Sequence, residues 1–381
     1  MLSPEIQVFI QAIKSELLDV ESPEIKPVNF EVLQQKLWFH SIRPVLHQFF
    51  QKNYSEELPE PIKTELAQYV QTQAFVSLKY AHETERLLKV FRSENLKVIP
   101  YKGILFLKKF YGNTQLRELG DMDFLFHPDS AARGIKILLK EGYKLNAVDN
   151  SFERLGVPAF IKLALSTENQ YELSLVKPNL QVDFHWELHH GHLPFKIDFE
   201  SFFGSEEPSE ETIFWMLLLH HGGKENWTRM KHFADLTAFL NRFADKLNWD
   251  KILSTAKQYR LHKQLIVGFR LLQKHFGYYI PDAIKKEEAD YPSTAKVEQL
   301  IEDFWNRAEH WATVFPRLRM ERIFFNLQDR GFSKRTYLRK FYRTYAKPNP
   351  LEQRRIFTFP DNYPTLNFIS KVLTHLIRKF R

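Results

Sequence analysis

The stretch RELGDMDFLFHPD, residues 117–129, constrains this chain more than any other. Asp121 and Asp123 sit two apart at the head of the apolar run Phe124, Leu125, Phe126. In a strand, residues i and i+2 share a face. Two carboxylates therefore point the same way beside a segment that must be buried. A second stretch has the same character: in VDFHWEL, residues 182–188, apolar Val182, Phe184 and Trp186 alternate with Asp183, His185 and Glu187. Asp183 thus opens the polar face of another strand. Three carboxylates around one point repel. Two unit charges about 4 Å apart cost roughly 4 kcal/mol at an effective dielectric near 20. Either one carboxylate takes a proton or a cation sits among them. Aspartate oxygens suit Mg²⁺, which accepts one or two carboxylates and completes its shell with water and phosphate oxygens.

Around these strands the pattern is helical. Ser3 is placed to cap a helix with Pro4 at its first position. Asn29 can cap FEVLQQKLWFHSIRPVLHQFF, and Pro61 opens a long third helix, with one break allowed. The periodicity changes at Leu96. Strands are predicted in LKVIPYKG, MDFLF, YKLNAV, QYELSLVK and LQVDFHWEL, with helices ILFLKKFYG, ending at Gly112, and PDSAARGIKILLKEG, from near Pro128 to Gly142. Lys177-Pro178-Asn179-Leu180 supplies a hairpin turn. The order β-α-β-α-β-β-β predicts an α+β fold, a mixed sheet with an antiparallel end, flanked by helical segments. The expected division is a helical segment at 1–95, a core at 96–205, a helical domain at 206–345, and a loop with a basic amphipathic terminal helix at 346–381.

Composition narrows the setting. A chain of 381 residues that is 44% hydrophobic and 26% charged is ordinary globular material of two or three domains. With 0 Cys there is no disulfide framework and no thiolate metal site. The N-terminal MLSPEIQVFIQAIKSELL mixes Glu and Lys into its apolar positions and is not a signal peptide; the longest apolar run, IFWMLLL, is too short to span a bilayer. A cytoplasmic protein is expected. The net charge of +8 suits phosphate-bearing ligands without singling out nucleic acid.

Phosphate binding has its own candidates. Lys102-Gly103 ends a strand and opens a helix, so a lysine and free backbone N–H groups lie where a triphosphate can bind. Arg117, four residues before Asp121, can neutralise phosphate charge or pair with Glu118 or Asp121. His185 shares a face with Asp183 and can orient a ligand, act as a base or serve structure.

Taken in order, IPYKGILFLKKFYGNTQLRELGDMDFLF and then VDFHWEL resemble an uncharacterised bacterial nucleotidyltransferase family of the DNA polymerase β-like superfamily. The later LLLHHGGKENWTRMKHFADLTAF resembles that family's helical segment. The resemblance implies a polymerase β-like core and transfer of a nucleoside monophosphate from an NTP with release of pyrophosphate. By position, Asp121 and Asp123 would be the paired metal ligands and Asp183 the third, holding two Mg²⁺ ions or Mn²⁺ in their place. It also brings Lys224 and Lys231 towards the triphosphate; otherwise Lys231 and Asp235 form an i, i+4 ion pair on a helix surface. Many superfamily members carry Gly-Ser where this chain has Lys102-Gly103. The acceptor is open: a small molecule such as an antibiotic or sugar phosphate, a tRNA end, or a protein side chain.

Other features belong to no motif. His189, His190 and His192 follow the second acidic strand without an established ligand spacing. His220, on an apolar helix, is expected to be a hydrogen-bonded core or interface residue, with Gly222-Gly223 loosening the helix after it. The basic-aromatic KRTYLRKFYRTYAK and the last helix, LNFISKVLTHLIRKFR, allow weak contact with RNA or an anionic membrane, or docking onto the body of the protein. Two rival functions stand beside transfer: a catalytically silent nucleotide- or RNA-binding protein of the same fold, and a protein that binds a membrane or partner through its basic C-terminal half.

Overall fold

The structure is a computed structural model that describes residues 1–21, 27–54, 56–111, 115–146, 155–167, 170–189, 193, 195–205, 207–288, 294–308, 314–328, 332–346, 357–360 and 362–377. Its centre is one five-stranded sheet in the order β1-β2-β5-β4-β3. The strands are β1 (Val98–Pro100), β2 (Met122–Phe126), β3 (Lys144–Leu145), β4 (Glu172–Lys177) and β5 (Leu180–His185). β2 and β5 run parallel, and the other neighbours are antiparallel. The fold is therefore α+β with a mixed sheet and flanking helices, as the sequence predicts.

Every residue of β2 is buried. One face carries Phe124 and Phe126. Phe126 stacks on Phe184 of β5 at 4.0 Å, and Phe91 from the long helix α4 (Glu60–Ser93) meets both β2 phenylalanines edge-on. Helix α6 (Pro128–Lys140) covers the same face. Gly134 makes this possible: a Cβ there would fall 2.6 Å from the Phe126 ring and 2.9 Å from that of Phe184. The opposite face, bearing Asp123, Asp183 and His185, is left to polar chemistry.

Three local expectations are corrected. The segment after Asn29 is two helices, α2 (Phe30–His40) and α3 (Arg43–Asn53), not one. Pro44 cannot donate to the carbonyl four residues back, and Ser41 ends the first helix in the left-handed region at φ 52°. Helix α4, by contrast, runs unbroken for 34 residues behind Pro61. Between β3 and β4 lies an unpredicted helix, α7 (Val157–Ser166), with Pro158 in its first turn. Ser3 stands at the cap of α1 (Pro4–Leu18) without capping it; its hydroxyl accepts from Lys36 Nζ at 2.7 Å instead.

The C-terminal half is helical. Helix α8 (Glu210–Leu217) widens into a π-helical turn, Leu218–Lys224, that holds Gly222 and Gly223. Then come α9 (Met230–Phe243), α10 (Trp249–Tyr259), α11 (His262–Leu271) with a second π turn, Leu272–Phe276, and α12 (Asp282–Glu288). Helices α13 (Ala295–Arg307), α14 (Val314–Leu327), α15 (Phe332–Ala346) and α16 (Pro364–Ile377) follow. Buried Trp227 locks this half. Its indole N–H donates to Gln264 O at 2.9 Å, and its ring lies so close to Gly222 and Gly268 that a Cβ at either would come within 3.0 Å. Among the described residues, no helix is long and apolar enough to cross a membrane.

Candidate active site

Strand register assembles the polar face. Asp123 and Asp183 are direct partners across the parallel pair β2 and β5. Across the antiparallel hairpin, Ser174 faces Asp183 and Glu172 faces His185. Asn179, at φ 57°, makes the tight turn that sets this pairing. The carboxylate of Asp123 accepts from Lys102 Nζ at 2.9 Å and lies 3.1 Å from His185 Nε2, both at Oδ1. The other imidazole nitrogen, Nδ1, lies 3.2 Å from Glu172 Oε2, which Lys224 Nζ approaches at 3.5 Å. Asp183 accepts from the Ser174 hydroxyl and from Gln181 Nε2, both at Oδ1.

The corner between β1 and the helix that follows it closes on this cluster. Lys102, at φ 57°, and Gly103, at φ 27°, precede and open α5 (Gly103–Phe110). A Cβ on Gly103 would lie 3.2 Å from Asp123 Oδ2. The left-handed backbone and the close approach together explain glycine here. A non-glycine residue in that region, as at Lys102, costs of order 1–3 kcal/mol and persists only where its surroundings hold it.

Charge is unevenly compensated. Burial would raise Asp123, but the Lys102 charge and the His185 hydrogen bond hold it well below the usual carboxylate range. Burial likewise opposes, yet Lys224, His185 and Lys102 bring Glu172 down to about 2. Asp121 goes the other way: the Asp123 charge, then burial and Asp183, push it up to about 8. Lys231 is pushed down to about 8 by burial and by Arg229. Among the described residues it has no ion-pair partner within 4.0 Å, and its charge acts on Asp121. The ligand atoms of Asp123, Asp183 and His185 lie within 4.8 Å of one another. Among the described residues, that close set contains His185 where the sequence suggests Asp121, which is tied to the group through its charge.

Arg117 lies elsewhere. Its Nε and Nη2 donate to Asp235 at 2.8 and 3.0 Å, and Nη1 reaches Gly103 O at 3.3 Å. Tyr111 donates to Asp235 at 2.7 Å, and His221 Nε2 lies 2.9 Å from it. Asp235 is thus held by three side chains at once, rather than by Lys231 one helical turn away. Half-buried His220 meets His221 at 3.0 Å, Nδ1 to Nδ1, in keeping with a hydrogen-bonded residue at the edge of the core. Glu118, next to Arg117, is gripped by Arg43 and by Tyr69, which anchors this loop to α3 and α4. His190 and His192 lie outside the described residues, and His189 packs edge-on against Phe195.

The sequence reading missed Glu172, Ser174, Gln181 and the part played by Asp235. The first two carried a signal. With the turn at Pro178-Asn179, counting outward along the hairpin puts Glu172 opposite His185 and Ser174 opposite Asp183. Asp235 carried none, because its partners lie 14 to 124 positions away.

In comparisons with known proteins, no curated protein and no solved structure matches the chain. The profile of a family described as uncharacterised nucleotidyltransferase matches residues 26–277. That span holds the whole sheet, the acidic cluster and the Asp235 cluster, and the chain belongs to this family of uncharacterised nucleotidyltransferases.

Proposed function

We propose that this protein is a metal-dependent nucleotidyltransferase of polymerase β-like type, with its core at residues 96–205, which transfers an NMP from an NTP to an acceptor hydroxyl or phosphate. The observation that carries this reading is the parallel register of β2 and β5, which sets Asp123 beside Asp183 with Asp121 electrostatically coupled to both. The donor set suits a hard divalent cation: ligand atoms of Asp123, Asp183 and His185 lie within 4.8 Å of one another, and Asp121, which would complete the set, is pushed up to about 8 chiefly by the charge of Asp123. When bound, Mg²⁺ (or Mn²⁺), as one ion or two, supplies Lewis acidity that offsets phosphate charge and makes the acceptor oxygen easier to deprotonate.

The remaining roles belong to the chain. Asp183 takes the acceptor proton; Ser174 and Gln181 both hold its Oδ1, which fixes the direction of Oδ2. The acceptor oxygen bonds to the α-phosphorus as the bond to the bridging oxygen breaks, and the electron pair leaves with pyrophosphate. Lys102, backbone N–H groups near Gly103, Lys224 and Lys231 bind the phosphates; Lys231, half-buried and with no ion-pair partner among the described residues, has most to gain from one. His185 fixes Asp123. Arg117 is a positioning residue, which holds the Gly103 carbonyl and so the phosphate corner.

The test is calorimetric binding of ATP, CTP, GTP and UTP with and without Mg²⁺, followed by pyrophosphate release assays with candidate acceptors. Metal-dependent binding that disappears in Asp121→Asn/Asp123→Asn is expected. Nucleotide binding that ignores both the metal and the double substitution would overturn the proposal.

A further inference from the structure

The last helix is docked the wrong way round for a helix that serves only the core. Among the described side chains of α16 the buried ones are polar: Asn367, Ser370, Lys371 and Thr374. Asn367 is fully enclosed, donating to Phe359 O at 3.0 Å while its Oδ1 accepts from Phe359 N at 2.9 Å, and Ser370 donates to Phe357 O. Five apolar residues face outward, while Phe368 packs against Phe341 and Tyr342 of α15. Leu366, Ile369, Val372, Leu373 and Ile377, spaced as one helical stripe, are each 41–46% exposed. An amphipathic helix held by its polar side leaves its apolar side for something else.

Helix α15 extends this surface. Arg335, Leu338, Arg339, Tyr342 and Arg343 recur at i, i+3, i+4, i+7 and i+8, and all are exposed. Tyr342 joins the two faces: its hydroxyl lies 2.9 Å from Thr365 Oγ1, and its ring lies 5.6 Å from that of Phe368. Two helices joined through Tyr342 therefore expose apolar side chains on one and arginines on the other. Charge makes the pattern specific. Residues 332–381 contain 12 Lys and Arg against 2 Asp and Glu, a net +10, in a chain whose total is +8. The whole basic excess lies in this tail, and the rest of the protein is slightly acidic. The tail also lies beyond residues 26–277, the part shared with the nucleotidyltransferase family.

We propose that α15 and α16 form a peripheral docking surface for an anionic phospholipid bilayer, with the exposed stripe of α16 entering the headgroup–acyl boundary and the α15 arginines lying on the headgroups. Charge complementarity selects this partner. A second copy would bring two strongly positive tails together, whereas an anionic bilayer offers both the charge and the apolar depth that the face lacks. The reading is independent of the proposed transfer chemistry.

The experiment is flotation of the full-length protein with phosphatidylcholine vesicles, with and without one-third phosphatidylglycerol. Partition onto the anionic vesicles alone, weakened by salt, is expected. Arg335→Gln/Arg339→Gln/Arg343→Gln should weaken it about 100-fold, at roughly 1 kcal/mol per basic residue near the surface. Ile369→Ser/Leu373→Ser should weaken it at least about 10-fold through lost apolar burial. All these side chains are exposed, so circular dichroism and melting temperature should match wild type. Failure of wild type to float, equal binding to neutral vesicles, or a lipid-free dimer that the Ile369/Leu373 variant dissociates would each overturn the proposal. So would binding of single-stranded RNA through the same arginines without vesicle binding.

Discussion

Two buried aspartates in this protein, Asp123 and Asp235, are both held far below the normal carboxylate range, and they do opposite things. Asp235 is satisfied. A two-pronged arginine, a tyrosine hydroxyl and a histidine take up its oxygens, and the cluster clamps the loop before β2, the π turn and α9 together. Asp123 is also paired, with Lys102 and His185, but it stands beside Asp121 and Asp183, whose charges are not balanced. One cluster is electrically closed and serves the fold. The other remains short of positive charge, and the proposed metal site rests on that deficit. Burial and pairing alone do not separate the two clusters; residual charge does.

The sharpest test of this contrast is Asp121→Asn. Transfer should fall by at least about 10⁴-fold, near 5.5 kcal/mol of barrier, in a pyrophosphate-release assay. Stability to urea should hold near neutral pH, because a carboxyl pushed up to about 8 is already largely neutral there and Asn keeps its shape. An unfolded variant would break the distinction. Asp235→Asn should do the reverse and lower unfolding free energy by about 3–5 kcal/mol, because it leaves Arg117 buried without its counter-charge. A melting temperature equal to wild type would show that the clamp is dispensable.

His40 extends the comparison to a neutral buried group. Its Nδ1 accepts from Met230 N–H at 3.1 Å and its Nε2 lies 3.1 Å from Trp305 O, which joins α2, α9 and α13. Burial, with Arg229 and Lys36 nearby, pushes it down to about 3 from 6.5. A depressed folded value means that its stabilising effect is fully present above pH 6.5 and is lost as pH falls towards 3. Denaturation midpoints should show a loss approaching about 1.4 kcal/mol per pH unit in that window. His40→Gln should flatten this slope. The smallest effect is expected at Gly103→Ala: about 1 kcal/mol of stability from the left-handed backbone, with weaker nucleotide binding as Asp123 is displaced. Calorimetry on the variant checks both.

How much of this was legible depended on distance along the chain. MDFLF and VDFHWEL announce half-polar strands through alternation, and the Pro178-Asn179 turn announces the hairpin and, with it, the partner of every residue on β4 and β5. The break at Ser41 and helix Val157–Ser166 were missed because apolar periodicity ran on through the first and was short in the second. Arg117 shows the limit. Local sequence offers it phosphate, Glu118 or Asp121, and its partner is Asp235, 118 residues on.

By itself, then, the amino-acid order determined the element types, the polar faces, the concentration of basic charge in the last 50 residues and the acids available for chemistry, because these follow from side-chain periodicity and composition. Tertiary structure alone decided that β5 lies parallel beside β2, that Lys102 rather than Arg117 meets Asp123, and that the last helix buries its polar side and presents its apolar one. Those outcomes depend on which distant surfaces exclude water together, and no local pattern specifies that.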